Sequence, residues 1–186
     1  MCMNKPKVNE KYKNKVINDS NFEEYIKSTY GEVSLKDFKQ IIKITPFLQQ
    51  NFGGEGDCTL VSILTVVKYY KPELDENKVY NYIEKIAKKY LYHEQCGTMP
   101  TFNKAIVKEV FNYFGIAKKV SSRYFKGIGF NQTTIINELK QNHPIIISLE
   151  KDGRECYKNH TVTIIGYSFY KTKNNKDILL LRIYDN

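Results

Sequence analysis

A glycine-rich loop runs directly into a strongly apolar stretch near the middle of the chain. The loop, GGEGD, occupies positions 53–57, and the apolar stretch begins at Cys58 and ends just before Pro72. Its apolar residues would cover more than one face of a helix, which is typical of a helix buried inside a domain. Asp57 is a suitable capping residue for the start of that helix. The pattern therefore predicts a buried helix with Cys58 in its first turn.

Cys58 is placed where a helix can make a cysteine reactive. The partial positive charge at a helix N-terminus stabilises a thiolate, and the thiolate is the nucleophilic form of cysteine. The same position would also suit a small, inert core residue, which many free cysteines are. Since the helix effect is modest, a nucleophilic Cys58 needs a basic partner elsewhere in the chain. The choice between these two interpretations depends on the remaining residues.

Length and composition indicate one globular domain. The chain has 186 residues, of which 41% are hydrophobic and 13% aromatic, enough for a sizeable core. The first 19 residues are polar and lysine-rich and predict a flexible basic arm, followed by a single domain over residues 20–186. The net charge of +9 is spread along the chain, so we expect no nucleic-acid partner. We also expect no membrane span, because the apolar segments are short.

The four cysteines do not follow the spacing of a disulfide framework. Cys2, Cys58, Cys96 and Cys156 are far apart in the sequence, and free thiols are the expectation. The N-terminus lacks the apolar middle of a signal peptide. We therefore expect a cytoplasmic protein if the chain is complete and a secreted one if a leader has been removed, and we assume a monomer.

Hydrophobic periodicity divides the chain into a helical half and a strand-rich half. Apolar residues at helical spacing predict helices over residues 21–29, 35–44, 75–90, 102–114 and 133–141, and a strand is predicted over 116–124. Apolar, β-branched runs predict further strands over residues 144–149, 160–167 and 178–184, with hairpin connections at Asp152-Gly153 and at 173–176. This order predicts an α+β domain whose helical N-terminal half packs on a C-terminal antiparallel β-sheet.

Two strand ends carry residues that could serve Cys58. His160 opens a strongly apolar strand, where a titratable ring is costly without a partner, and Asp185 closes the last strand. If the sheet packs on the cysteine helix, His160 would deprotonate the thiol and Asp185 would fix the tautomer and orientation of the imidazole. Gln49 and Gln50 precede the loop. Either amide could donate to an oxyanion together with the backbone N–H of Cys58.

Several of these segments together resemble one protein family. They are PFLQQ at positions 46–50, the glycine loop with Asp57 and Cys58, PIII at 144–147, HTVTIIGY at 160–167 and LRIYD at 181–185. The combination resembles the papain-like cysteine peptidases, and it is similar to the bacteriocin-processing (double-glycine) peptidases and their stand-alone bacterial relatives. The resemblance covers about residues 46–186. It implies a papain-like fold and hydrolysis of peptide bonds in a peptide or protein substrate, without a metal or organic cofactor.

The resemblance also assigns roles to individual residues. It implies Cys58 as the nucleophile, His160 as the base, Asp185 as the orienting acid, and Gln50 as the oxyanion-hole glutamine with Gln49 as its close competitor. The loop glycines would line the substrate cleft, and they are Gly53, Gly54 and Gly56.

Three features depart from the family pattern. Thr59 stands where Gly or Trp often follows the cysteine, the glycine loop lengthens the spacing between glutamine and cysteine, and Asn186 directly follows the acid. Because papain itself uses asparagine as the third member, Asn186 is an alternative to Asp185 in that role.

Other functions remain open at this stage. His93, Cys96, Cys156 and His160 supply two histidines and two cysteines at spacings that a structural zinc site could use. A papain-like site could equally carry out acyl transfer, deamidation or isopeptide cleavage, because all of these pass through a thioester. A catalytically idle binding domain is a further alternative, disfavoured because it would have little reason to keep a cysteine, a histidine and an acid in place.

Overall fold

The computed structural model describes residues 20–54, 56–123, 132–149 and 160–186, which form an α+β fold. The predicted fold class is therefore confirmed. The arm predicted over residues 1–19 and the turn predicted at Asp152-Gly153 lie outside the described residues. The elements, with a short 3-10 turn at Gln49–Asn51, are α1 (Phe22–Tyr30), β1 (Val33–Gln40), α2 (Cys58–Tyr70), α3 (Glu76–Lys89), α4 (Pro100–Tyr113), α5 (Gln132–Lys140), β2 (Ile145–Leu149), β3 (His160–Thr172) and β4 (Asp177–Tyr184).

The strand β3 is the centre of an antiparallel four-stranded sheet. β2 pairs with its first residues, β1 pairs with its second half, and β4 pairs with it from Thr163 to Lys171. β4 shares partners on β3 with both β1 and β2, so β1 and β2 lie end to end along the other side of β3. Tyr184 pairs with Thr163. This register brings the end of β4 close to the start of β3.

The prediction of a helix over residues 35–44 is wrong, because residues 35–40 belong to the strand β1 and residues 41–44 form neither helix nor strand. Its apolar residues have helical spacing, but Leu35 is 54% exposed and Phe38 is 52% exposed. Burial of Ile41 and Ile44 alone does not make a helix here, whereas pairing with β3 satisfies the backbone of Val33–Gln40. The Tyr167 hydroxyl of β3 donates to Asp37 of β1 at 2.8 Å and adds a side-chain link between the two strands.

The strand predicted over residues 116–124 is also absent from its described part, residues 116–123. The backbone N–H of Ile116 donates to the carbonyl of Phe111 at 2.9 Å. Ile116 is buried in the same core as α4. The apolar start of this segment thus closes the end of the helix instead of joining the sheet.

The helix α2 lies at the centre of the fold. Every residue from Thr59 to Val67 is buried. It packs against α3 and α4 and also against β3. A helix that is apolar on all sides needs such an enclosed position, and the packing fixes its first residue beside the first residue of β3. A second cluster packs α5 on the sheet.

None of the helices in the described ranges combines the length and the apolar character that crossing a bilayer requires.

Candidate active site

Cys58 and His160 begin two elements that pack on each other. Cys58 is the first residue of α2 and His160 is the first residue of β3. Hydrogen bonds between their neighbours hold the two starts together. Thr59 Oγ1 lies 3.0 Å from Thr161 Oγ1, and Ser62 Oγ donates to the Thr161 carbonyl at 3.3 Å. Residues 102 positions apart in the sequence therefore meet at one point.

The imidazole of His160 lies between a sulfur and a carboxylate. Its Nε2 is 2.7 Å from Asp185 Oδ1, just beyond the end of β4, and the ring also hydrogen-bonds the Cys58 thiol. Since Nε2 is occupied by Asp185, the nitrogen left for the sulfur is Nδ1. His160 is only 7% exposed. The ring is therefore fixed in orientation by its two partners.

These contacts lower the pKa of the Cys58 thiol and raise the pKa of the His160 imidazole. Burial raises the pKa of the Cys58 thiol, but the hydrogen bond and charge of His160, aided by Thr161, bring that pKa below its ordinary value of 9.0. Burial lowers the pKa of His160, but the hydrogen bonds with Asp185 and Cys58 raise it to about 9. Both directions favour a thiolate beside an imidazolium. The arrangement thus favours the nucleophilic form of the sulfur.

Asn186 connects the glutamine segment to the helix start. Its side-chain amide donates to the Cys58 carbonyl and to Ser62 Oγ, both at 2.9 Å. Its backbone oxygen accepts from Gln49 Nε2 at 2.8 Å. Gln50 is exposed. Gln49 therefore contacts Asn186, and the neighbouring Asp185 contacts the ring of His160.

A cleft of about 520 Å³ opens beside these residues. Gly53 and Gly54 line this cleft, as expected of them. The third glycine, Gly56, is buried against the backbone of Glu94. Cys58 and His160 are not among the lining residues, but Asn186 touches both the cleft and Cys58. The residues lining the cleft are Leu48, Gln49, Gln50, Gly53, Gly54 and Asn186.

A family model describing the Peptidase C39 like family matches residues 41–182. The chain belongs to this family. Neither a curated protein nor a solved structure gives a significant match. The matched range includes Cys58 and His160 and ends before Asp185. The resemblance drawn from the sequence is thus confirmed, and membership of a C39-like family supports a cysteine peptidase that acts on a peptide or protein.

The C39-like chain departs from our expectation at Asp57, which is not a conventional helix cap. Its side chain makes no capping hydrogen bond. Instead the carboxylate, 1% exposed, accepts from the Gly54 N–H at 2.6 Å, from the Tyr80 hydroxyl at 2.5 Å and from the Tyr92 hydroxyl. Asp57 therefore anchors the glycine loop from inside the protein.

Two of the four residues of the zinc alternative, Cys96 and His160, have other partners. Cys96 is in a disulfide, so the expectation of free thiols is wrong for it. Cys58 is free. His93 is exposed, His160 bonds Asp185, and Cys156 lies outside the described residues. Within the described ranges, no group of three or more His, Cys, Asp and Glu side chains could hold a metal ion.

Sequence reasoning missed three residues that touch the site or support it. Tyr80 and Tyr92 hold Asp57, and Thr161 hydrogen-bonds Cys58. Thr161 could have been noticed, because it directly follows His160 and is polar in an apolar strand. The tyrosines could not, because nothing in their local pattern links them to residue 57.

Proposed function

We propose that this C39-like protein is a cysteine peptidase in which Cys58, His160 and Asp185 form the catalytic triad. The observation that carries the proposal is the position of His160, bonded on one side to Asp185 and on the other to Cys58. A sulfur, an imidazole and a carboxylate in this order supply the nucleophile, the base and the orienting group for thiol-dependent acyl transfer.

The reaction proceeds in two steps. The Cys58 thiolate attacks the substrate carbonyl, and His160 gives its proton to the departing amine, which leaves a thioester on the sulfur. Water then attacks the thioester while His160 accepts a proton, and the acid product leaves as the Cys58 thiolate and the protonated His160 are restored. Asp185 keeps the imidazole in one tautomer and orientation throughout.

The oxyanion is held by the backbone N–H of Cys58 and by a glutamine amide. Gln49 is supported over Gln50, because Gln49 is half-buried and reaches Asn186, while Gln50 is exposed. An amide NH₂ has two donors, so one proton of Gln49 stays on Asn186 while the other is available to the substrate. Loss of one such donor costs about 3 kcal/mol in the transition state.

The peptidase is tested by digestion of a peptide library with the wild-type protein and with Cys58→Ala. Cleavage by the wild type alone, with each product pair differing from its substrate by one water, supports the proposal. Full cleavage by Cys58→Ala would sink it. Transfer to an added amine, or conversion of side-chain amides to acids without chain cleavage, would instead identify one of the related thioester reactions.

The glutamine assignment has its own matched pair of variants. Gln49→Ala is expected to reduce kcat about a hundredfold, as loss of an oxyanion donor does, while Gln50→Ala retains most of the activity. The reverse pattern would assign the role to Gln50.

A further inference from the structure

Asn186 contacts two groups of the proposed site and lies next to a third. Its side-chain Nδ2 donates to the Cys58 carbonyl and to Ser62 Oγ, both at 2.9 Å. Its backbone oxygen accepts from Gln49 Nε2 at 2.8 Å. Asn186 directly follows Asp185. A residue just beyond β4 therefore joins the segment of the oxyanion glutamine to the start of the helix that carries the sulfur.

The chemistry of the acceptors fixes which way the Asn186 amide points. A carbonyl oxygen can only accept, so the Cys58 carbonyl must face the NH₂ group and not Oδ1. The Ser62 hydroxyl gives its single proton to the Thr161 carbonyl at 3.3 Å and is left as an acceptor for Asn186. The two protons of Nδ2 thus serve one acceptor each. The reversed amide would place oxygen against oxygen at the Cys58 carbonyl.

The acceptors of these side-chain bonds belong to the packed helix α2. Ser62 is buried, as is every residue from Thr59 to Val67, so the side chain of Asn186 fixes the position of its own backbone relative to α2. The backbone oxygen in turn holds Gln49. The 3-10 turn that carries Gln49 has no buried residue. The bond to Asn186 therefore supplies the restraint that core packing gives a buried side chain.

The remaining atom of the amide, Asn186 Oδ1, argues against a role in stability alone. It is buried and has no hydrogen-bond partner among the described residues. A buried acceptor without a donor is destabilising. An asparagine is therefore not the most stabilising residue at this position, whereas its two donors on one short side chain are both used. Such local conflicts are typical of functional sites.

We propose that Asn186 is a positioning residue of the oxyanion hole. Its side chain fixes it to the start of α2, and its backbone oxygen holds the Gln49 amide where the second amide proton meets the oxyanion. A donor stabilises the transition state most when it already lies where the charge develops. The proposal rests on the proposed function, because it concerns a donor of the same site.

The test compares kcat and KM of Asn186→Leu with those of the wild type, on a peptide that the wild type cleaves. Leucine keeps the size of the side chain and removes both donors. Because the oxyanion exists only in the reacting complex, kcat should fall about tenfold with KM unchanged, less than the roughly hundredfold loss expected of Gln49→Ala. An unchanged kcat would overturn the proposal. Asn186→Ala serves if Asn186→Leu does not fold.

A double-mutant cycle separates positioning from a purely structural role. In a Gln49→Ala background the amide that Asn186 positions is absent, so Asn186→Leu should lower kcat by less than about twofold further. A further fall of about tenfold in that background would mean that Asn186 acts independently of Gln49, and it would overturn the proposal.

Thr163→Val is the matched control. Thr163 is buried and pairs with Tyr184 at the end of β4, and its hydroxyl, like Asn186 Oδ1, has no hydrogen-bond partner among the described residues. This variant should keep the wild-type kcat. An equal loss of kcat in Thr163→Val and Asn186→Leu would mean that any change to a buried polar group in this part of the sheet lowers activity, and it would overturn the proposal.

A small activated ester separates failure of this proposal from failure of the peptidase assignment. Attack of the Cys58 thiolate on p-nitrophenyl acetate forms the thioester through an oxyanion and expels p-nitrophenolate, without peptide recognition. If the wild type is acylated but cleaves no peptide, the peptidase assignment fails, while the acylation rates of the same variants still test the positioning role. An acylation rate that Asn186→Leu leaves unchanged would overturn that role, and a wild-type Cys58 that the ester leaves unmodified would overturn both.

Discussion

The buried carboxylate of Asp57 leads to a sharp prediction about the residues that hold it. Two tyrosine hydroxyls and one backbone N–H donate to this carboxylate, which is the residue before Cys58. Tyr80 is 6% exposed and Tyr92 is 7% exposed. Burial, followed by the hydrogen bond to Asp57, raises the pKa of both phenols well above their ordinary range. Both hydroxyls therefore stay protonated and act as permanent donors.

The magnitude follows from what each substitution removes. Tyr80→Phe and Tyr92→Phe keep the packed ring and delete one hydrogen bond to a charged group. Such a bond contributes about 1.5–3 kcal/mol, and the carboxylate cannot recruit bulk water in its place. We expect each variant to lose about 2 kcal/mol of unfolding free energy. Asp57→Ala should cost at least as much, since it releases all three donors.

Urea denaturation followed by circular dichroism measures these changes. Tyr113→Phe is the matched control, because Tyr113 is 62% exposed and surface changes usually stay within about 0.5 kcal/mol. In an Asp57→Ala background the effect of Tyr92→Phe should largely disappear, because the two groups form one interaction. Losses below about 0.5 kcal/mol in both tyrosine variants, or full additivity with Asp57→Ala, would refute the reasoning.

Further predictions concern the loop and the histidine. Gly56→Ala would place a Cβ 2.5 Å from the Glu94 carbonyl oxygen, so we expect the free energy of unfolding in urea to fall by about 3 kcal/mol or more. The control is Gly115→Ala, whose Cβ would meet nothing within 4 Å. Because Gly115 has a positive φ of 63°, this variant should still lose about 1 kcal/mol. The pKa of His160 is raised to about 9, so the imidazolium persists up to that pH, and kcat/KM should fall as pH rises through it. Asp185→Asn removes one of the groups that raise this pKa, so the alkaline limb of the pH–rate profile should move to lower pH; an unmoved limb would argue against the contact.

The helix that carries Cys58 could be predicted from the sequence because it is apolar on every side. Such a run has few alternatives to a buried helix, and Asp57 and the glycines before it mark its start. The three C-terminal strands can be predicted as well, since β-branched runs separated by turn residues favour strands strongly. If the sheet packs on that helix, Cys58 and His160 are expected to meet, because each begins its element.

The features that could not be predicted depend on contacts between distant segments. The spacing of Leu35 and Phe38 fits a helix, and only the pairing of β1 with β3 reveals a strand. The sequence predicts that Asp57 accepts from backbone N–H groups of its own helix. In the structure it accepts instead from Tyr80 and Tyr92, which are distant in the sequence. Gln49 and Gln50 are adjacent, and the choice between them depends on a 3-10 turn that directs one of them to Asn186.

The contact between Cys58 and His160 is the central claim, and NMR titration of the His160 ring tests it most directly. In the wild type the ring should titrate near pH 9. In Cys58→Ala the midpoint should fall, because the hydrogen bond and the charge of the sulfur both raise the pKa of the imidazole. An identical midpoint in the two proteins would mean that the sulfur and the ring do not interact, and would contradict the account.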